Sequence, residues 1–450
     1  MNADARRIQR VYLTLTLGNT LAASFIWGIN TLFLLDAGLT NLEAFAANAF
    51  FTAGMVLFEV PTGVVADTWG RKLSYLLGTI TLAVSTLLYF LMWQVHAPFW
   101  AWAVVSMLLG LGFTFFSGAV DAWLVDALRF VGYAGGLEKV FGRAQIVSGI
   151  AILFGSVAGG VIAQATNLGV PFLIRAGVLV AMFVVAALLM KDIGFTPDHS
   201  TGPLKATRAV LSASIEFGLK RRAVRYMMFA APFATGVGFY VFYALQPYLL
   251  ELYGDKTAYS IAGLAAAILA GAQILGGWAA PRIRRLFRLR TTVIIGATLG
   301  SVVVLTALWL TTTFWVALLL LVLWGLVSAI GLPIQQSYMN DMIPSKQRAT
   351  VLSFESLMGS VGGVVVQPIL GRAADVSGYA ASLGFAAIIE LLGVPFILAS
   401  RRQREKADAA SDADAGDTTA GASGATDARG ATDATPPDSP GDIGTLPPVD

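Results

Sequence analysis

The stretch Gly63-Val-Val-Ala-Asp67-Thr-Trp-Gly70-Arg71-Lys72 is charged, carries glycines near both ends and lies between two long apolar runs. Each run has roughly 20 residues, enough to cross ~30 Å of hydrocarbon as a helix. A connection this short predicts two antiparallel helices that lie side by side. Arg71 and Lys72 must face water, and the positive-inside rule predicts that this water is cytoplasmic.

Composition indicates an all-α integral membrane protein. Of 450 residues, 56% are apolar and 13% are charged, and the apolar runs are too long for a soluble core. Cysteine is absent, and the two histidines, His96 and His199, fall in predicted loops, so we expect no metal and no cofactor. Neither a phosphate-binding loop nor a catalytic constellation is present, which argues against an ATP-driven pump and against an enzyme.

The apolar runs predict twelve transmembrane helices, at 11–35, 43–66, 73–93, 98–127, 139–166, 170–191, 224–252, 257–281, 290–312, 314–341, 348–372 and 379–400. They form two six-helix bundles, 11–191 and 224–400, joined by a polar loop at 192–223. Residues 1–10 form a short N-terminal tail. The C-terminal tail, 401–450, is rich in small and polar residues and is predicted to be disordered.

Charge asymmetry orients the bundles in the membrane. Of 30 lysines and arginines, only Arg175, Lys256 and Arg372 belong to the side opposite Arg71. This bias predicts a multi-pass protein of the plasma (inner) membrane with both termini in the cytoplasm. It also explains the net charge of +3 without nucleic acid as a partner.

The two halves of the sequence resemble each other. Arg143-Ala-Gln-Ile-Val-Ser148 matches Arg348-Ala-Thr-Val-Leu-Ser353 at the start of spans five and eleven. Gly277-Trp-Ala-Ala-Pro281-Arg-Ile-Arg284-Arg285 repeats the spacing of the charged stretch, with proline in place of Asp67. Such repeats predict a substrate site at the interface of the halves.

The pattern G-x-x-x-D-x-x-G-R-K between spans two and three resembles the signature loop of the major facilitator superfamily. The preceding Glu59-Val-Pro61-Thr-Gly63 is similar to a lead-in of its bacterial drug-efflux members. The resemblance implies this superfamily's twelve-helix fold. It also implies a gating loop made of Gly63, Asp67, Gly70, Arg71, Lys72 and, at the end of span four, Asp126.

In similar transporters the loop aspartate faces the start of span eleven, and the loop arginine pairs with an acid at the end of span four. Here these would be Asp67, Arg71 and Asp126, forming a latch that holds the cytoplasmic side shut. Alternatively, Arg71 and Lys72 are only topology charges, which leaves Asp67 unexplained. In span five, Gly155-Ser-Val-Ala-Gly159-Gly160 resembles the antiporter motif G-P-x-x-G-G with serine in place of proline, and its glycines are equally compatible with close helix packing.

Ionisable residues inside apolar spans are energetically costly and so are candidates for proton coupling. These are Glu59, Asp121, Glu355 and Glu390. Each has a structural alternative, because a buried carboxyl can be neutral or hydrogen-bonded, and one near a helix end can reach water.

Aromatic and amide residues of span one, and others near Pro247 of span seven and Pro333 of span ten, are candidates for a substrate cavity, with close packing as the alternative for each. They are Trp27, Asn30, Phe239, Tyr240, Tyr243, Gln246, Gln335, Gln336 and Tyr338. No basic residue is clearly placed at mid-membrane, which argues against a strongly anionic substrate.

The sequence therefore predicts a monomeric secondary transporter that works by alternating access. Its partners would be a lipophilic or amphipathic small molecule, protons and membrane lipid, with proton-coupled efflux as the expected direction. An importer or uniporter on the same fold stays open. So does a non-transporting receptor or lipid-handling protein.

Overall fold

The chain folds into long helices joined by short connections. The computed structural model describes residues 3–116, 118–197, 219–343 and 348–409. The first half contains α1 (Ala3–Trp27), α2 (Asn30–Asp36), α3 (Asn41–Trp69), α4 (Arg71–Gln94), α5 (Phe99–Thr114), α6 (Ala119–Phe130), α7 (Leu137–Ala165) and α8 (Val170–Leu189). The second half contains α9 (Arg222–Tyr253), α10 (Tyr259–Arg285), α11 (Arg290–Leu310), α12 (Phe314–Met342), α13 (Arg348–Leu391) and α14 (Val394–Arg401).

The number of spans agrees with the sequence. In the described chain, ten helical stretches are long and apolar enough to cross a membrane, or eleven if the bent pair α1 and α2 is one span. The last stretch, Val351–Arg401, turns at Gly378, whose φ of 83° and ψ of 166° are not helical. Dividing it there gives twelve spans. The predicted fold class, an all-α membrane protein of two six-helix bundles, is confirmed.

Two spans that the sequence shows as continuous are broken. The first bends by 49° between Trp27 and Asn30. The fourth breaks between Thr114 and Ala119, where Gly118 has a φ of 70°, a conformation that favours glycine. Apolar periodicity does not reveal such breaks, because the residues on both sides stay apolar.

The predicted charged turn between spans two and three is almost entirely helical. Helix α3 continues to Trp69 and α4 begins at Arg71, so only Gly70 lies outside a helix. Its φ of 106° allows the chain to reverse within one residue.

The predicted start of the C-terminal tail, residue 401, lies too early in the chain. Residues Lys406–Asp408 form a short 3-10 helix, and Asp408 is buried. Asp192, in the predicted inter-bundle loop, accepts a hydrogen bond from the Lys72 backbone N–H at 2.9 Å. Residues 198–218 and 410–450 lie outside the described chain.

The two ends of the protein are packed differently. We call the end that contains Gly70 the loop end and the opposite end the far end. In the far half, Phe45 of α3 packs within a core of second-half residues, and Leu250 and Ala262 pack within a core of first-half residues. At the loop end, each buried core of the described chain contains residues of one bundle only.

Candidate substrate cavity and gating clusters

A cavity of about 250 Å³ lies mainly against the first bundle. Of the residues predicted for a substrate site, Trp27, Asn30 and Tyr243 line it. The rest of the wall combines aromatic rings with amides and hydroxyls, including Asn19, Thr20, Asn48, Phe51, Tyr89, Phe113 and Phe116. Such a surface suits a small ligand with an apolar body and a few polar atoms.

Amide side chains organise the wall and join the bundles. The Asn30 Nδ2 group donates to Asn48 Oδ1 over 2.9 Å, and the buried Asn48 Nδ2 group has no partner among the described residues. The predicted Gln246 lies beside the cavity and bridges the bundles. Its Oε1 accepts from the Thr31 backbone N–H at 3.1 Å, and its Nε2 donates to the Trp27 carbonyl at 2.7 Å.

The other residues predicted for the cavity are not in its lining. Tyr240 is fully buried and bonds the Ser382 hydroxyl at 2.5 Å, and Tyr338 is fully buried in the second bundle. Gln335 donates to Glu355 at 2.9 Å. The remaining two, Phe239 and Gln336, are exposed.

Arg175 is the residue that sequence analysis placed wrongly. Its charge predicts a place on the far-end rim, whereas the structure buries it in α8 with 8% of its surface exposed, in the cavity wall. Arg175 lies five residues into α8 from Val170, so it is a buried cation near the far end of its span rather than at the middle. Its apolar neighbours gave no signal of the direction in which the side chain points.

The four acids proposed for proton coupling lie in different surroundings. Asp121 Oδ1 accepts a hydrogen bond from the Tyr12 hydroxyl at 2.7 Å, which joins α6 to α1. Glu59 is exposed. Glu355 contacts Gln335, and Glu390 is buried and accepts from Ser301 at 2.8 Å. None of the four lines the cavity.

At the loop end, Arg71 forms the predicted charge cluster. Its Nη1 contacts Asp67 Oδ1 at 2.6 Å, and its Nε lies 4.0 Å from Asp126 Oδ2. The Asp67 side chain stays 54% exposed. Its implied partner, the start of span eleven, borders residues 344–347, which lie outside the described chain.

Sequence reasoning missed Asp192 in this cluster. Its carboxylate accepts from the Lys72 backbone N–H at 2.9 Å, at the N-terminus of α4 where a negative charge is favourable. Burial raises the pKa of the Asp192 carboxyl above its ordinary value, and the adjacent Lys72 and Arg71 partly oppose that rise. The Lys72 ammonium donates to the Ala187 carbonyl at 2.6 Å.

The second bundle repeats this arrangement. Arg290 at the start of α11 pairs with Asp341 at 2.5 Å, as Arg71 does with Asp126. Asp408 accepts from the Thr291 backbone N–H and hydroxyl, each at 2.7 Å, as Asp192 does from Lys72. The spacing of the repeat predicts Arg285 as the counterpart of Arg71, but the second turn is longer, so the residue that starts the next helix and pairs with Asp341 is Arg290.

At the far end, hydrogen bonds cross between the bundles. Asp375 accepts from the backbone N–H groups of Asn41 and Leu42, each at 2.9 Å, at the N-terminus of α3. The Tyr379 hydroxyl donates to Asn41 as well. We call Asn41, Leu42, Asp375 and Tyr379 the far-end clamp.

Close packing supports the clamp. A side chain at Gly160 or Gly263 would collide with the opposing backbone of α10 or α7. In the loop half, by contrast, a side chain at Gly142, Gly63 or Gly277 would meet open space. The bundles therefore touch through glycines at the far end and diverge towards the loop end.

Two six-helix bundles that pack together at one end, with a cavity beside their interface, are the architecture of secondary transporters. A family model of the Major Facilitator Superfamily matches residues 12–300 and 286–430, and the chain belongs to this superfamily. As a member, it is a multi-pass membrane protein.

The sequence similarity to a curated relative is low. An uncharacterised MFS-type transporter of Methanocaldococcus jannaschii is 24% identical over 235 residues, which cover 51% of this chain and 57% of that protein. The crystal structure of the nucleoside transporter NupG aligns with a TM-score of 0.73 at 12% identity, over 89% of this chain and 100% of that one.

Two further solved structures share the fold. A bacterial homologue of the human lysosomal transporter Spinster, in an inward-facing and unoccupied conformation, aligns with a TM-score of 0.70 at 13% identity over 89% of this chain and 98% of that one. A D-xylose–proton symporter aligns with a TM-score of 0.58 at 15% identity over 88% and 98%.

Proposed function

We propose that this protein is a proton-coupled, alternating-access exporter of a small lipophilic or amphipathic organic compound. The observation that carries the proposal is the unequal packing of its two ends. The bundles share cores and hydrogen bonds at the far end, whereas each closes on itself at the loop end. Closure at one end, around a cavity beside the bundle interface, is one of the two states that alternating access requires.

The loop end would face the cytoplasm of a cell membrane. The supporting observation is that the lysines and arginines outside the spans concentrate at this end, Arg71 and Lys72 among them. On this orientation the described conformation is open inwards. The Asp67 latch would then be released, in keeping with the contact of Asp67 to Arg71 of its own bundle.

Asp121 is the acid that we assign to proton coupling. It follows the break at Gly118 and accepts from Tyr12 across to α1, so protonation would weaken a contact between two helices. Its exposure gives protons access to it in this conformation. Glu59 is the second candidate, two residues before the proline that lies inside α3.

The resemblance of Glu59-Val-Pro61-Thr-Gly63 to drug-efflux members supports export as the direction. The test begins with a ligand screen on the purified protein and continues with proton exchange on binding of the best ligand. Proton release would identify an antiporter, proton uptake a symporter, and no exchange a uniporter. Asp121→Asn should abolish the exchange and leave ligand binding intact, and unchanged proton exchange in this variant would exclude Asp121.

A further inference from the structure

Arg175 is a buried cation in the wall of the cavity, although the proposed mechanism requires no charge there. It lies in α8, roughly 7–8 Å along the axis from Val170 at ~1.5 Å per residue. With 8% of its surface exposed it belongs to the protein interior. A cation in such a place costs several kcal/mol unless it has a partner.

The described part of the chain supplies no such partner. No carboxylate lies within ion-pair distance of Arg175 there, and no aspartate or glutamate lines the cavity. The Arg175 Nε group is buried without a hydrogen bond. Its electrostatic partners in the described chain include the phenols of Tyr89 and Tyr243, which are neutral groups in the same wall.

The remaining polar groups of the wall also include a free donor. Asn48 Nδ2 is buried and has no acceptor in the described chain, although the Oδ1 atom of the same amide accepts from Asn30. Two unused donors, one of them charged, thus lie in a wall of aromatic rings such as Trp27 and Phe113. A guanidinium fork matches the geometry of a carboxylate and pairs with it more strongly than with a neutral acceptor.

We propose that Arg175 and Asn48 form an anion subsite and that the substrate is a small organic carboxylate with an apolar body. One arginine balances a single negative charge. The volume of about 250 Å³ lies below the roughly 300–1,000 Å³ of sites for drug-sized ligands. This inference rests on the proposed transport function and narrows its substrate class.

The test measures binding to the purified full-length protein by isothermal titration calorimetry. The carboxylates benzoate, phenylacetate and hexanoate are compared with their uncharged amides, and inorganic phosphate serves as a second anion. We expect at least one carboxylate to bind roughly tenfold or more tightly than its amide, and phosphate to bind weakly. Absence of any preference for the carboxylates, or a preference for phosphate, would overturn the proposal.

Single substitutions then test whether the preference for carboxylates over amides arises at Arg175. Arg175→Gln should weaken carboxylate binding by roughly 10- to 100-fold, the scale of a lost charge-assisted bond, and leave amide binding unchanged. Arg372→Gln removes an exposed far-end arginine and serves as the matched control. Full carboxylate binding by folded Arg175→Gln would exclude the subsite.

Asn48→Asp covers the case in which Arg175→Gln does not fold. It keeps Arg175 and places a carboxylate in the same wall, so it should also abolish the preference, and a preserved preference would refute the subsite. Binding requires no transport, so failure of these experiments would leave the proposed transport mechanism intact. Conversely, a protein that shows the carboxylate preference but no proton-coupled transport would refute the assigned coupling and leave the anion subsite intact.

Discussion

Removal of the Asp375 carboxylate should open the far end. In the described conformation it accepts two backbone N–H groups at 2.9 Å from the first turn of α3 in the other bundle. Hydrogen bonds to a charged group contribute ~1.5–3 kcal/mol, and an anion at an exposed helix N-terminus ~0.3–1 kcal/mol. Asp375 is exposed, and in Asp375→Ala water can replace it. We therefore expect the free-energy preference for the far-end-closed state to fall by about 1–2 kcal/mol. This corresponds to a roughly 5- to 30-fold shift towards the far-end-open state.

The absence of cysteine from the chain makes this shift directly measurable. Spin labels at Gln94→Cys and Thr312→Cys report the far-end separation of the bundles by double electron–electron resonance. Asp255→Ala is the matched control, because this far-end acid bonds only Thr257 of its own turn in the described contacts. If Asp375→Ala gave the same distance distribution as Asp255→Ala, the clamp would contribute nothing to far-end closure.

Three further predictions concern the loop end and the contact of α7 with α10 at Gly160 and Gly263. Asp67→Asn should insert normally but lose most transport in proteoliposomes, and normal transport would discredit the latch. Asp192→Ala and Asp408→Ala should each lower the free energy of unfolding by ~0.5–2 kcal/mol in detergent melts, because each removes a helix cap. The loss should be larger for Asp408, which is buried. No difference from wild type would refute the capping role. Gly263→Leu should increase the far-end separation in the spin-label assay, whereas Gly271→Leu, which meets open space, should not.

The fold follows from the sequence because membrane spans are encoded locally. About 20 apolar residues suffice to predict a span, and the charges at its ends orient it. Gly70 and Arg71 were singled out from the resemblance to the signature loop, whereas the one-residue reversal at Gly70 is seen only in the structure. The resemblance also implied contacts between neighbouring spans, such as that of Arg71 with Asp126.

Features that depend on the rotation of a helix were not predictable. Whether Arg175 faces lipid, loop water or the cavity depends on how α8 packs, and an apolar run on both sides contains no periodic signal of that choice. The capping roles of Asp192 and Asp408 were not predictable for another reason. Each follows the last span of its bundle and caps a helix that begins over 100 residues earlier, so no local pattern connects the two.

The duplicated loop-end clusters indicate which charge has a role beyond stability. An arginine that starts a helix, an acid at the end of the next span and a capping aspartate occur in both bundles, so these three hold each bundle together. Asp67 has no such counterpart, because the second half has Pro281 at the equivalent position. It is also more than half exposed, unlike Arg71. An acid that only one bundle carries, and that its own bundle does not bury, is the member of the cluster best suited to contact the other bundle when the loop end closes.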